Sequence, residues 1–234
     1  MKHSVFYYLA IVARRLRLRN TDFSILSDTC IGGVISSSLH LPFRSPTVNL
    51  IIPPLFFPIF CQHLREYSLC EVEKPTAEEN ALLFSAFSYP CGMLRGNGAL
   101  PDIPLQFVHY SSFEEAREKW HERFARVNYE NLFVVFNRCV YCSPEELDAL
   151  EKVPIGHKVI FSERQDPSRW PDIFRFEYTD PRKGRTGQLY ASVRKGLLEY
   201  RALDEFDYVA WLNRGVIQRD RFFARLNQRM NAHD

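Results

Sequence analysis

The chain lacks an apolar run of membrane-spanning length: Val5–Val12 is far shorter than the ~20 residues a bilayer crossing requires. It lacks repeats, low-complexity tracts and an obvious linker, so its 234 residues are expected to form one large domain or one domain with decorations, namely a basic amphipathic helix over residues 1–20 and a single α/β domain over 21–234. It lacks an excess of either charge: 30 Lys and Arg stand against 28 Asp and Glu, a net charge of +2 that makes no general case for nucleic-acid binding. It lacks cysteine spacing of a disulfide framework. The six cysteines, at positions 30, 61, 70, 91, 139 and 142, are scattered through a chain too large to need staples. With no secretory leader to read, a reducing cytosol is the expected compartment. Of the histidines, His3, His40, His63, His121 and His157 show no ligand spacing, and no metal is expected.

What is present is ordinary for a globular protein, with 46% apolar and 25% charged residues, apart from an aromatic share of 14%. That share suits a packed core or a surface that stacks on sugars. Short apolar runs alternate with helical patterns. Phe23–Ser27, Thr47–Ile52, Leu105–Tyr110, Leu132–Asn137, Lys158–Ser162 and Ile173–Tyr178 read as strands, several apolar enough to be covered on both faces. Thr76, Ser112 and Ser143, each followed three residues later by Glu, predict capped helix starts. Phe113, Ala116, Trp120, Phe124 and Val127 fall on one helical face, with Glu115–Lys119 and Glu122–Arg126 pairs on the other. Asp204 is expected to cap a helix over Glu205–Arg214 that Gly215 stops, and Arg219–Met230 reads as a basic helix. The fold class expected is α/β, a Rossmann-like layered fold with a mostly parallel or mixed sheet flanked by helices.

Residues 1–20 form a separate question. No acidic residue precedes Asp22, and Arg14, Arg15, Arg17 and Arg19 follow the apolar run. Two readings stand: a basic amphipathic helix lying on an anionic membrane surface, or a helix packed on the 21–234 domain with a solvated basic end.

The stretch Phe23-Ser-Ile-Leu-Ser-Asp-Thr-Cys-Ile-Gly-Gly33 reads as strand, tight turn and helix start. Ligands of open α/β sheets bind at such strand ends. A thiol at a helix N-terminus is a candidate nucleophile with a lowered pKa, here Cys30. His109, at the end of Leu105–Tyr110, is the candidate base, Asp28 its orienting group, and the Gly32 and Gly33 amides candidate oxyanion donors. The bland alternative is a buried cysteine, a structural histidine and an aspartate that caps a helix. Ser27, Ser45 and Thr47, polar turn residues beside the same tip, are candidate substrate contacts with Gly32 and Gly33; Arg44 and Arg185 are candidates for contacts to the phosphates of the substrate, Arg185 within the basic strip that also holds Arg182 and Lys183. Cys139-Val-Tyr-Cys142 is a lone C-x-x-C, weak evidence for zinc or redox use. The Cys-Ile-Gly-Gly turn is neither a dinucleotide fingerprint nor a P-loop.

Three stretches together, Phe23–Gly33, Leu41-Pro-Phe-Arg-Ser-Pro-Thr-Val48 and Val108-His-Tyr-Ser-Ser-Phe-Glu-Glu-Ala-Arg-Glu-Lys-Trp120, carry a family resemblance. The chain resembles the bacterial domain-of-unknown-function family often labelled "exopolysaccharide biosynthesis protein", found in capsule and surface-polysaccharide clusters. That family usually reads Ser-Asn-Asn-Cys-Trp-Gly-Gly where this chain has Ser27-Asp-Thr-Cys-Ile-Gly-Gly33. The resemblance implies a pathway more than a reaction. The expectation it favours is a cytoplasmic transferase that moves an acetyl group from acetyl-CoA to a sugar hydroxyl of a polysaccharide precursor. A non-catalytic glycan- or lipid-linked-sugar-binding component, in peripheral contact with the inner membrane, is the first alternative. A nucleotide-sugar-dependent glycosyl or phosphosugar transferase is the second, with Asp204-Glu-Phe-Asp207 a poor substitute for its usual Asp-x-Asp.

Overall fold

The computed structural model describes residues 4–138, 143–162, 168–176, 189–195 and 198–231. Its strands are β1 (Ser24–Ser27), β2 (Val72–Glu73), β3 (Cys91–Leu94), β4 (Ile103–Gln106), β5 (Leu132–Asn137), β6 (His157–Ser162), β7 (Ile173–Arg175), β8 (Val193–Lys195) and β9 (Leu198–Tyr200). Its α-helices are α1 (Val5–Arg17), α2 (Ile31–Ser38), α3 (Phe57–Gln62), α4 (Leu64–Tyr67), α5 (Ala77–Glu79), α6 (Phe113–Phe124), α7 (Pro144–Glu151), α8 (Tyr208–Arg214) and α9 (Arg221–Asn231).

β1, β5, β6 and β7 form a parallel sheet in the order β1-β5-β6-β7, with Ser24 opposite Leu132 and Val135 opposite Val159. Side chains alternate across it. Leu26, Val134, Phe136, Ile160 and Ile173 enter the core beneath α3, α4, α6 and α7, while Ile25, Phe133, Val135, Val159, Phe161 and Phe174 enter the core beneath α2 and α8. A sheet buried on both faces explains why these strands read as unbroken apolar runs. The result is an α/β, Rossmann-like layered fold: a parallel four-stranded sheet flanked by helices.

Two expected strands lie outside that sheet. Leu105–Tyr110 contributes only its first residues, to β4 of a separate antiparallel sheet in the order β2-β3-β4; the chain then turns at Phe107–Tyr110. Thr47–Ile52 is a turn that makes a single bridge, Ile51 opposite Gln106. Prolines at 46, 53 and 54 remove ladder donors there, and Asn49 breaks the extension with φ 64°. The sequence-read caps at Thr76, Ser112 and Ser143 are present, each hydroxyl accepting the N–H three residues on. The Glu122–Arg126 pair forms, but Lys119 bonds Glu122 and Glu115 bonds Ser111 in place of the expected Glu115–Lys119 pair.

Asp204 does not cap α8; Asp207 does, through its bond from the Ala210 N–H, and Gly215 ends that helix at φ 69°. Asp204 instead sits in a buried ion cluster. It accepts from Arg14 Nη1 at 2.8 Å, from Arg201 Nε and Nη2 at 3.0 Å each, and from the Tyr7 hydroxyl at 3.0 Å. Arg14 also bonds Asp220 at 2.9 Å and lies over the rings of Tyr208 and Phe223. Arg14, only 1% exposed, is therefore not part of a solvated basic end, and α1 is bolted to the domain by its charge. Tyr7, Ile11 and Phe223 complete the contact between α1 and α9.

Candidate functional site

At the C-terminal end of β1 the chain is stitched to the loop that precedes α3. The Ser27 N–H donates to Thr47 Oγ1 at 3.0 Å, Thr47 Oγ1 lies 3.0 Å from Ser45 Oγ, and the Ser27 hydroxyl donates to the Thr29 carbonyl at 2.7 Å. Ser27, Ser45 and Thr47 thus serve one another, which fixes the 45–47 turn on the strand tip.

Asp28 is fully buried and joins β1 to β5. It accepts the Asn137 N–H at 3.0 Å and pairs with Arg138, which in turn bonds Glu146 at 2.8 Å. Burial raises the Asp28 pKa, and the opposing pull of Arg138 and the Asn137 N–H does not cancel it. Its carboxylate is directed at Arg138 and the Asn137 amide, not at a histidine.

Cys30 begins α2 and is 5% exposed. Burial pushes its thiol up to about 11, the reverse of the lowering that its helix-start position suggested. The groups close enough for its charge to be felt include Tyr110 and Tyr190. His109 is exposed on the turn after β4, in the antiparallel sheet. Its neighbour Tyr110 is the residue of that segment that reaches back: the phenol donates to the Val48 carbonyl at 3.0 Å, and Arg123 holds both groups. Arg44 pairs with Asp22 at the surface. Arg182, Lys183, Arg185, Cys139 and Cys142 lie outside the described residues. Among the described residues, no cluster of three or more His, Cys, Asp or Glu side chains is arranged to hold a metal ion.

The glycine pair has a packing role. A Cβ on Gly32 would lie 3.1 Å from both Ile25 Cγ2 and Ser27 Cβ and 3.3 Å from the Ile25 carbonyl, so α2 lies hard against β1. One on Gly33 would lie 3.1 Å from Val48 Cγ1. Gly32→Ala is therefore expected to lower stability by about 1–3 kcal/mol, the usual cost of overpacking, against a gain of less than ~1 kcal/mol in helix propensity. A urea titration checks this; equal or higher stability in the variant would refute the close approach.

Beside this turn lies a groove of about 510 Å³ between α1, α2 and the loop before α3. Its walls include Tyr8, Phe43 and Tyr190 as aromatic surfaces, and His40, Asn49 and Arg201 as polar groups. The volume lies within the ~300–1,000 Å³ range of small-ligand sites. His40, at φ 51°, and Asn49, at φ 64°, are the positive-φ non-glycine residues of the described chain, and both line this groove. Backbone held in that region tends to gather at ligand sites. Arg201 is anchored from behind by Asp204 and bonds Ser38 Oγ at 3.1 Å. None of Tyr8, His40, Phe43, Asn49, Tyr190 and Arg201 stood out in the sequence as a site residue. The nearest sequence signal is the turn beside the strand tip that holds Ser45 and Thr47.

Among the described residues, no helix is long and apolar enough to cross a membrane. A Haemophilus influenzae protein described as "Uncharacterized protein" is 28% identical over 200 residues, covering 84% of this chain and 87% of the relative. Neither that description nor the family description mentions exopolysaccharide. The profile of the family described as "Domain of unknown function (DUF1919)" matches residues 1–213, and the chain belongs to that family.

Proposed function

We propose that this protein is a sugar-binding component of surface-polysaccharide assembly, and that the groove between α1 and α2 receives the sugar. The observation that carries this reading is the groove's lining: aromatic faces beside an amide, an arginine and hydroxyls. Pyranose rings present apolar C–H faces that pack on aromatic rings, and hydroxyls that need donors and acceptors around their edge. A buried arginine pre-set by Asp204 supplies directed donors without loss of side-chain freedom on binding. The exopolysaccharide part of the reading comes from the family resemblance in the three sequence stretches.

Acetyl transfer from acetyl-CoA has a thinner basis. The covalent route through Cys30 needs a thiolate, yet burial pushes that thiol up to about 11. It also needs a base beside that thiol, and His109 stands on an exposed turn of the other sheet.

Isothermal titration against a panel of mono- and disaccharides, including acetamido sugars and uronic acids, tests the proposal. Binding is expected, and Asn49→Gly is expected to weaken it about 3- to 10-fold, the worth of one hydrogen bond. Glycine suits φ 64° without strain, so that variant removes the amide and keeps the turn. A folded protein that binds no sugar of the panel overturns the reading. If instead acetyl-CoA alone raises the melting temperature in a dose-dependent way, the transferase replaces it.

A further inference from the structure

The helix α1 is built the wrong way round for a surface helix. Its buried face carries Arg14 with Tyr7 and Ile11, and its outward face carries Val5, Leu9 and Leu16, which are 73%, 56% and 81% exposed. Surface helices ordinarily turn their apolar stripe inward and their charges out. Phe6 and Tyr8, 58% and 56% exposed, widen the outward stripe on either side.

Alongside lies α9. Phe223 is packed beneath it against Tyr7, while Phe222 is exposed. Arg221, Arg225 and Arg229 recur at intervals of four residues, which puts them in one exposed row. Between the helices runs an apolar groove of about 610 Å³ whose lining includes Phe6, Leu198, Phe222 and Leu226, with the three arginines among its walls. The acid of this groove, Glu199, accepts from the Ser4 N–H and the Ser192 hydroxyl at 2.5 and 2.6 Å.

We infer that this face of α1 and α9 docks on an anionic lipid bilayer. The charged residues of both helices are all arginines; Arg14 is turned inward onto Asp204 and Asp220, and Arg17, from the surface, reaches Asp207 and Asp220 at 4.0 and 3.7 Å. A bilayer of anionic lipid offers both things the face lacks: phosphates for a row of guanidiniums, and an apolar layer for Val5, Leu9, Leu16 and Phe222. A second copy of the chain offers only half of this. It would cover the leucines but set arginine rows against each other, with no carboxylate on either helix to separate them. The helices lie on the membrane and do not cross it. The docking residues differ from those a sequence reading selects, because Arg14 belongs to the interior and Arg221, Arg225 and Arg229 are contributed from the other end of the sequence. This inference stands apart from the sugar reading.

The test uses the full chain and flotation with phosphatidylcholine vesicles, with or without phosphatidylglycerol. Flotation with the anionic vesicles, weak with the neutral ones and falling as salt rises, is expected. Each arginine is worth about 5-fold in partitioning, so the triple variant Arg221→Glu, Arg225→Glu, Arg229→Glu should bind at least ~100-fold less. Leu9→Asp with Leu16→Asp should abolish flotation with an unchanged melting temperature, since neither side chain is packed. Flotation of neither vesicle, or binding indifferent to salt and to the arginines, overturns the inference. So does a dimer in sedimentation equilibrium that Leu9→Asp dissociates, because the face is then covered by a second copy.

Discussion

Asp204→Ala is expected to lower the stability of this protein by about 3–5 kcal/mol, the range found when one partner of a buried ion pair is removed. Asp204 is the acceptor for two arginines at once, and both stay behind without it. Arg14 keeps Asp220 at 2.9 Å; Arg201 keeps Ser38 Oγ, a neutral partner. For a chain of this length the loss corresponds to roughly 6–20 °C in melting temperature. The same residue sets a pH dependence. Burial pushes its carboxyl up, but Arg201 and Arg14 overcome that and hold it below the usual carboxylate range. The folded pKa is thus depressed, so the contribution is complete above the unfolded value of about 3.9 and is lost as pH falls through the folded one. Asp204→Asn should therefore be less stable than the parent at neutral pH, and the gap should narrow in acid. Thermal melts of both proteins across the acid range check this; a gap that stays constant would remove Asp204 from the account of acid stability.

Arg138→Met is expected to have an effect of similar size, about 3–5 kcal/mol, for the opposite reason: it leaves a carboxylate alone in the interior. Asp28 is 1% exposed, and its pKa is raised by burial even with Arg138 beside it. Without the arginine it moves further up. A carboxyl whose folded pKa is raised contributes stability that is present below the unfolded value and lost as pH rises through the folded one. The variant should then be closest to the parent in acid and fall behind as pH increases, the same direction as for Asp204→Asn, although there the parent gains with pH and here the variant loses. Adding Asp28→Asn to Arg138→Met should recover much of the loss, because an amide can still face the Asn137 N–H with no charge to bury. Chemical denaturation of the parent, the two single variants and the double variant measures the coupling; strictly additive losses would show that Asp28 and Arg138 do not act as a pair.

These two carboxylates also mark where sequence reading succeeds and fails. Apolar strands buried on both faces announce themselves, and Leu132–Asn137 is legible to the residue. Caps are local, so Thr76, Ser112 and Ser143 are legible too. Asp204 stands just before a helical pattern and looks like another cap. The arginine that claims it, Arg14, is 190 positions away, and no local pattern carries that information. Leu105–Tyr110 has the composition of a sheet strand, but which sheet it joins depends on pairing with Cys91–Leu94. The candidate site divides the same way. Asp28 and Cys30 were placed at the strand tip, while their charge states were not, because burial outweighs the helix-start effect at Cys30. The groove residues Asn49 and His40 owe their positions to left-handed backbone in a loop, and Tyr190 comes from a distant segment. Tyr110, next to the histidine that sequence singled out, is the member of that turn that touches the site.

The bond from Arg14 to Asp204 also sets a clock. During synthesis residue 14 leaves the ribosome 190 residues before its partner, an interval of roughly 10–40 s at ordinary elongation rates. For all of that time α1 has neither its buried counter-charge nor Phe223 beneath it. β1 waits as well, since Ser24 pairs with Leu132. α1 is therefore among the last elements to take its place, and β1 can pair only once Leu132–Asn137 has been made. An apolar, basic segment is on offer to whatever surface it meets first, long before the domain that will hold it exists.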